Sequence, residues 1–214
     1  MKTLTFINKG TLSLVLALAL TFSSCQKETP ESNQQNELNT SLAAMQNTET
    51  QRVAYETMSA SERLSLWQNH LAWAKSNLTL TTAQLEKIIE LDAMLNTEFF
   101  SSTNSSDAFE IWKATASEVF SLKQLFLLFQ QPFQFKADKF NSSDPLSGYL
   151  HAGDKTPGCS CNSQQANHCM LYPADQIGWF ECRGGSCKSS QTGCGWLWKS
   201  TCNGRCEYVS PFIS

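Results

Sequence analysis

"GCSCNSQQANHCMLYPADQIGWFECRGGSCKSSQTGCGWLWKSTCNGRC", Gly158 to Cys206, holds eight of the chain's nine cysteines, spaced C-x-C-x7-C-x12-C-x4-C-x6-C-x7-C-x3-C. So short a block cannot bury a conventional apolar core, so covalent staples must do much of the stabilising. Each disulfide contributes about 2–4 kcal/mol by restricting the unfolded chain. An even set of closely spaced cysteines in a secreted chain reads as a disulfide framework of Cys159, Cys161, Cys169, Cys182, Cys187, Cys194, Cys202 and Cys206. A zinc site built from Cys159, Cys161, His168 and Cys169 is the weaker reading, because the paired C-x2-C knuckles are missing. No metal and no cofactor are expected.

Connectivity stays open, but local geometry trims it. Cys159 and Cys161 lie two apart and, if extended, take different partners. Gly184-Gly185 reads as a hairpin turn that would set Cys182 against Cys187, which predicts a bond between them. Asn203-Gly204 reads as a second such turn, placing Cys202 and Cys206 on opposite faces and keeping them apart.

The secretory reading comes from the other terminus. Lys2 and Lys9 precede an apolar run from Leu12 to Phe22 that ends in small residues and Cys25, too short for a stable anchor. Residues 1–24 are expected to be a signal peptide. "SSC" at 23–25 followed by polar residues resembles the lipobox of bacterial lipoproteins, which implies a lipidated Cys25, a membrane partner held through that lipid, and an outer-membrane or cell-surface location. The Lys27-Glu28 pair is similar to a surface-export signal of such lipoproteins.

Glycine divides the remainder. After Gly10 none occurs until Gly148, the first of nine in the last third of the chain, so a helical region precedes a turn-rich one. Residues 25–50 are polar and read as a lipidated, disordered tether. Residues 51–137 read as about three helices. The first opens on a Ser59–Glu62 capping box and carries Leu64, Trp67, Leu71 and Ala74 on one face. The second opens on Thr81 and Gln84 and carries Leu85, Ile88, Leu91, Leu95 and Phe99. The third starts near Asp107, carries Phe109, Trp112, Ala116, Val119 and Phe120, and ends in "LFLLF" ahead of Pro132. These aromatics read as core. Residues 138–158 read as an irregular linker open to proteolysis, and 159–214 as the cysteine-rich module with short β-hairpins.

Enzyme chemistry finds no foothold. No P-loop, nucleophile elbow or HExxH stretch occurs, His70 reads as structural or exposed, and Glu86, Glu90, Asp92 and Lys87 read as a solvated face. With a formal net charge of −3 there is no case for nucleic acid. Within the cysteine block the balance is positive, with Arg183, Lys188, Lys199 and Arg205 against Asp175 and Glu181. Trp179, Trp196 and Trp198 are too large for so small a block to hide, which predicts exposed tryptophans, aided by Lys188 and Lys199, touching a membrane or a partner.

"CSCNSQQANHC", "GGSCKSSQTGCGWLW" and "CNGRC" resemble the C-terminal block of the bacteriocin fulvocin C-related proteins, secreted bacterial proteins named after a cysteine-rich antibacterial peptide with four disulfides. The resemblance covers about the last quarter of the chain. It implies a stapled module with antibacterial action at the envelope of a target cell, freed by a cut in the linker or acting by contact while anchored. The alternative is a non-toxic surface-binding or structural module that uses its exposed tryptophans.

Overall fold

The computed structural model describes residues 48–102, 105–132, 135–143, 159–164, 169, 179–185 and 187–209. The expected signal peptide, Cys25, the expected tether before Thr48, most of the expected linker, His151 and His168 lie outside these residues. Six α-helices occur among the described residues: α1 Thr48–Thr57, α2 Ala60–Asn77, α3 Thr82–Met94, α4 Thr97–Ser101, α5 Asp107–Val119 and α6 Leu122–Phe129. No helix among them is long and apolar enough to cross a membrane.

Six helices rather than three follow from the caps. The expected capping boxes form at Ser59–Glu62 and Thr81–Gln84. The second and third predicted helices each break where a further polar side chain satisfies a new set of N-terminal amides. Asn96 accepts from the Phe99 amide and starts α4, while Ser121 forms a capping box with Gln124 and starts α6. Gln84 and Gln124 also tie the two helix starts together: Gln84 Nε2 donates to Gln124 Oε1 at 3.3 Å, and Gln124 Nε2 to Asn141 Oδ1 at 2.9 Å. The first helix was not foreseen. Thr48–Thr50, assigned to the tether, belong to it, and its Gln51, Tyr55 and the following Met58 are buried.

The predicted faces are largely inside. Trp67, Leu71, Ala74, Ile88, Leu91, Phe109, Trp112 and Ala116 are buried, whereas Leu85 is 37% exposed. Short and apolar, α6 runs through the centre, with Leu127, Leu128 and Phe129 at 0% exposure. His70 is 3% exposed among Trp67, Trp73 and Phe135. On the surface, Lys75 pairs with Asp92 at 2.8 Å and Lys87 with Glu90 at 2.7 Å.

The cysteine block contributes β1 Trp179–Gly184, β2 Ser190–Cys194, β3 Ser200–Cys202 and β4 Gly204–Val209. They form two antiparallel pairs, β1 with β4 and β2 with β3. Neither predicted two-residue hairpin exists. β1 ends at Gly184 and pairs with the distant β4, with Cys182 opposite Cys206 and Gly184 opposite Gly204. Asn203 is a joint between strands of different sheets rather than part of a turn between partners.

Gly204 explains the choice. It exchanges backbone hydrogen bonds with Cys161 at 3.0 Å each way, and a Cβ here would lie 2.7 Å from Cys182 Sγ and 2.8 Å from the Arg183 carbonyl. Only glycine lets β1, β4 and the Cys161 segment meet this closely.

Candidate functional site

The eight cysteines of the block form four disulfides, Cys159–Cys187, Cys161–Cys182, Cys169–Cys206 and Cys194–Cys202, with Cα separations of 5.0–5.9 Å. Cys159 and Cys161 take different partners, and Cys202 and Cys206 are not joined, as expected. The predicted Cys182–Cys187 bond does not form, because pairing of β1 with β4 carries Cys182 to Cys161 instead. The sulfurs of Cys161, Cys169 and Cys182 lie within 4.8 Å of one another. Each is engaged in a disulfide, which leaves no thiolate to offer a metal.

Between Cys194 and Cys202 lie the two non-glycine residues at positive φ among the described residues. Gly195 sits at φ 71°, and a single 3-10 turn, Trp196–Trp198, follows with Leu197 at φ 54° and Trp198 at φ 52°. The left-handed region costs a non-glycine residue about 1–2 kcal/mol. What holds two such residues there lies outside the module. Leu197 is 0% and Trp198 1% exposed, and both belong to the hydrophobic core of the helices, against which Trp196 also packs. Burying a large apolar side chain is worth about 1.5–3 kcal/mol, so seating three outweighs the strain of two.

The seat is specific. Trp198 Nε1 donates to the Gln130 carbonyl at 2.8 Å, and its ring meets Tyr55 edge-on at 5.3 Å. Tyr55 Oη donates to the Leu197 carbonyl at 3.1 Å and accepts from Trp67 Nε1 at 3.2 Å. Burial pushes the Tyr55 phenol well above its ordinary range, so it remains a donor. Trp196 stacks on Phe129 at 5.5 Å and meets Trp112 edge-on at 5.7 Å.

A charged collar surrounds these contacts. Arg52 donates through Nε to the Gly193 carbonyl at 2.9 Å and reaches the Cys159 and Ser160 carbonyls at 3.5 and 3.3 Å. Gly193, at φ 102°, permits the approach: a Cβ there would lie 3.1 Å from Arg52 Cγ. One turn later on α1, Glu56 Oε1 accepts from the Gln191 amide at 3.2 Å. Lys199 Nζ lies 4.2 Å from the centroid of the Phe99 ring, and partial burial lowers its pKa although Glu110 opposes the shift.

Comparison of the chain with known protein families, with curated proteins and with solved structures yields no match.

The residues predicted to touch a membrane or partner therefore separate. Trp198 is buried against the helices, which corrects the expectation of an exposed tryptophan there, while Trp196 and Lys199 pack against the helices and stay partly exposed. A module too small to hide its own aromatics hides them in its neighbour. Lys188 is exposed. Trp179 is placed by its backbone, opposite Val209 in the β1–β4 ladder. Cys25 lies outside the described residues. Sequence reasoning missed Arg52, Tyr55 and Gln130, the helical side of the contact, since no motif marks a lone Arg, Tyr or main-chain carbonyl as a receiver. The available signal was "GCGWLW" itself, three large apolar residues on a short cystine-closed loop, which need a cover from somewhere.

Proposed function

We propose that this chain is a bacterial surface lipoprotein whose C-terminal module, residues 159–214, is a bacteriocin-like effector acting at the envelope of a target cell. The helical region carries it and keeps its tryptophan loop covered until a cut in the linker separates the two. The observation that carries this reading is that all four described disulfides close within Cys159–Cys206. The module is thus covalently self-contained and, among the described residues, bonded to the helices by no cystine. The resemblance of its cysteine block to the fulvocin C-related proteins supplies the activity class. Release would uncover Trp196, Trp198 and Lys199, aromatic and cationic groups suited to an anionic interface.

Burial of that loop argues against the contact mode, in which the anchored chain acts with its tryptophans exposed. It equally removes Trp198, and part of Trp196, from the surface that a non-toxic binding module would use. The test compares the oxidised intact chain with the same chain after cleavage within 144–158 and separation of the parts. Growth of related bacteria and dye release from anionic vesicles are the readouts. The separated module is expected to act at micromolar concentration, the intact chain to be at least about ten-fold weaker, and prior reduction to abolish the effect. Inactivity of the separated, oxidised module in both assays would sink the reading.

A further inference from the structure

The surface that receives the tryptophan loop is built from the helical region: Arg52, Tyr55 held in place by Trp67, Trp112, Phe129 and the Gln130 carbonyl just past α6. It has the makeup of a recognition site, with aromatic rings at the centre and an arginine at the edge, the residue types that dominate binding energy at protein interfaces. Its polar groups read the module's main chain, at the carbonyls of Gly193, Cys159, Ser160 and Leu197. Those carbonyls are set by the cystine framework and by the left-handed turn at Leu197 and Trp198, so the surface reads a shape that the module's own staples help to maintain.

We infer that the helical region is a receptor for this module in trans: once the linker is cut, the helices recapture a released module, their own or that of a second copy. Held on the producing cell by the lipid at Cys25, they neutralise at that surface what the cut sets loose, an immunity role built into the same chain. The biological setting rests on the proposed release, but the binding does not, and the two are measured separately.

The experiment uses the full oxidised chain with a protease sequence substituted within residues 150–156 and a tag on the helical side. Two preparations, one heavy-isotope and one of natural abundance, are cut to completion and mixed. Complexes recovered by the tag are then weighed by mass spectrometry. The expected result is that the cut halves co-migrate at about micromolar concentration and that heavy modules appear on light helices. Arg52→Met, which removes the contacts to three carbonyls, should weaken the association about ten-fold or more, and Tyr55→Phe, nearly isosteric, about five-fold. The uncut Arg52→Met chain must still melt cooperatively, which separates lost binding from lost folding; where it does not, Tyr55→Phe decides.

Three results would overturn the inference: immediate release of the module on cutting, halves that stay together but never exchange, or exchange unaltered by both substitutions. Growth inhibition by the separated module is scored independently. Its absence would end the effector reading and leave recapture standing.

Discussion

Trp198 has an energetic role that its sequence neighbourhood conceals. On a loop closed by Cys194–Cys202 it would be taken for an exposed contact, yet it is 1% exposed with its indole N–H bonded to the Gln130 carbonyl. Trp198→Ala should therefore lower unfolding stability by about 3–5 kcal/mol, a large share of the 5–15 kcal/mol typical of a domain, as read by urea denaturation of the oxidised chain. A change below about 1 kcal/mol would place the ring in solvent. Gly204→Ala should be severe for a different reason, since its Cβ would meet Cys182 Sγ at 2.7 Å and backbone at 2.8 Å. Loss of homogeneous oxidation, seen as mixed disulfide isomers by peptide mapping, is the expected readout.

His70 gives the molecule a pH dependence. Burial pushes its pKa down to about 4, against the smaller opposing influence of the Leu128 and Leu127 carbonyls, and neither ring nitrogen has a partner in good hydrogen-bonding geometry. The unfolded chain binds this proton near pH 6.5 and the folded chain only near 4. The stability associated with neutral His70 is present above pH 6.5, declines by up to about 3 kcal/mol as pH falls through the window, and changes no further below 4. Comparing the pH profile of His70→Leu with that of the parent isolates this share. Parallel profiles between pH 7 and 4 would contradict it.

At the scale of elements, hydrophobic spacing told which faces turn inward, and Ser59–Glu62 and Thr81–Gln84 told where helices start. The breaks were harder to read. Around Ser121 the apolar pattern runs on from Phe120 to Leu125, and what ends α5 is a serine whose side chain serves the amide of Gln124. Ser121→Ala should cost about 1 kcal/mol and, because Gln124 also holds Gln84 and Asn141, should loosen three segments together in hydrogen exchange. The strand pairing was illegible for a related reason. Gly-Gly and Asn-Gly are strong local turn signals, but four disulfides and the close approach at Gly204 favour distant partners, and tertiary constraint prevails over local preference. So the cysteines were legible as a framework and their partners were not.

Across the whole molecule, two regions that differ in glycine, cysteine and charge behave as separate structures by composition and as one by packing. Their cores merge at Trp196–Trp198, where the helices supply a cover that the module lacks. This is the part of the site that sequence could not show, because it depends on Arg52 and Tyr55 lying more than a hundred residues from the carbonyls they bind. It also changes what the module can do while attached, since its most adhesive residues are already occupied.

Hydroxyl-radical footprinting of the intact, oxidised chain tests that claim most directly. With mass-spectrometric readout, it compares oxidation of Trp196 and Trp198 with that of buried Trp67 and with that of the same residues in the cut and separated module. Trp198 should be protected to the level of Trp67, Trp196 to a lesser degree, and both should become reactive on separation. Oxidation of Trp198 in the intact chain at the rate seen in the separated module would show the loop to be uncovered and the account wrong.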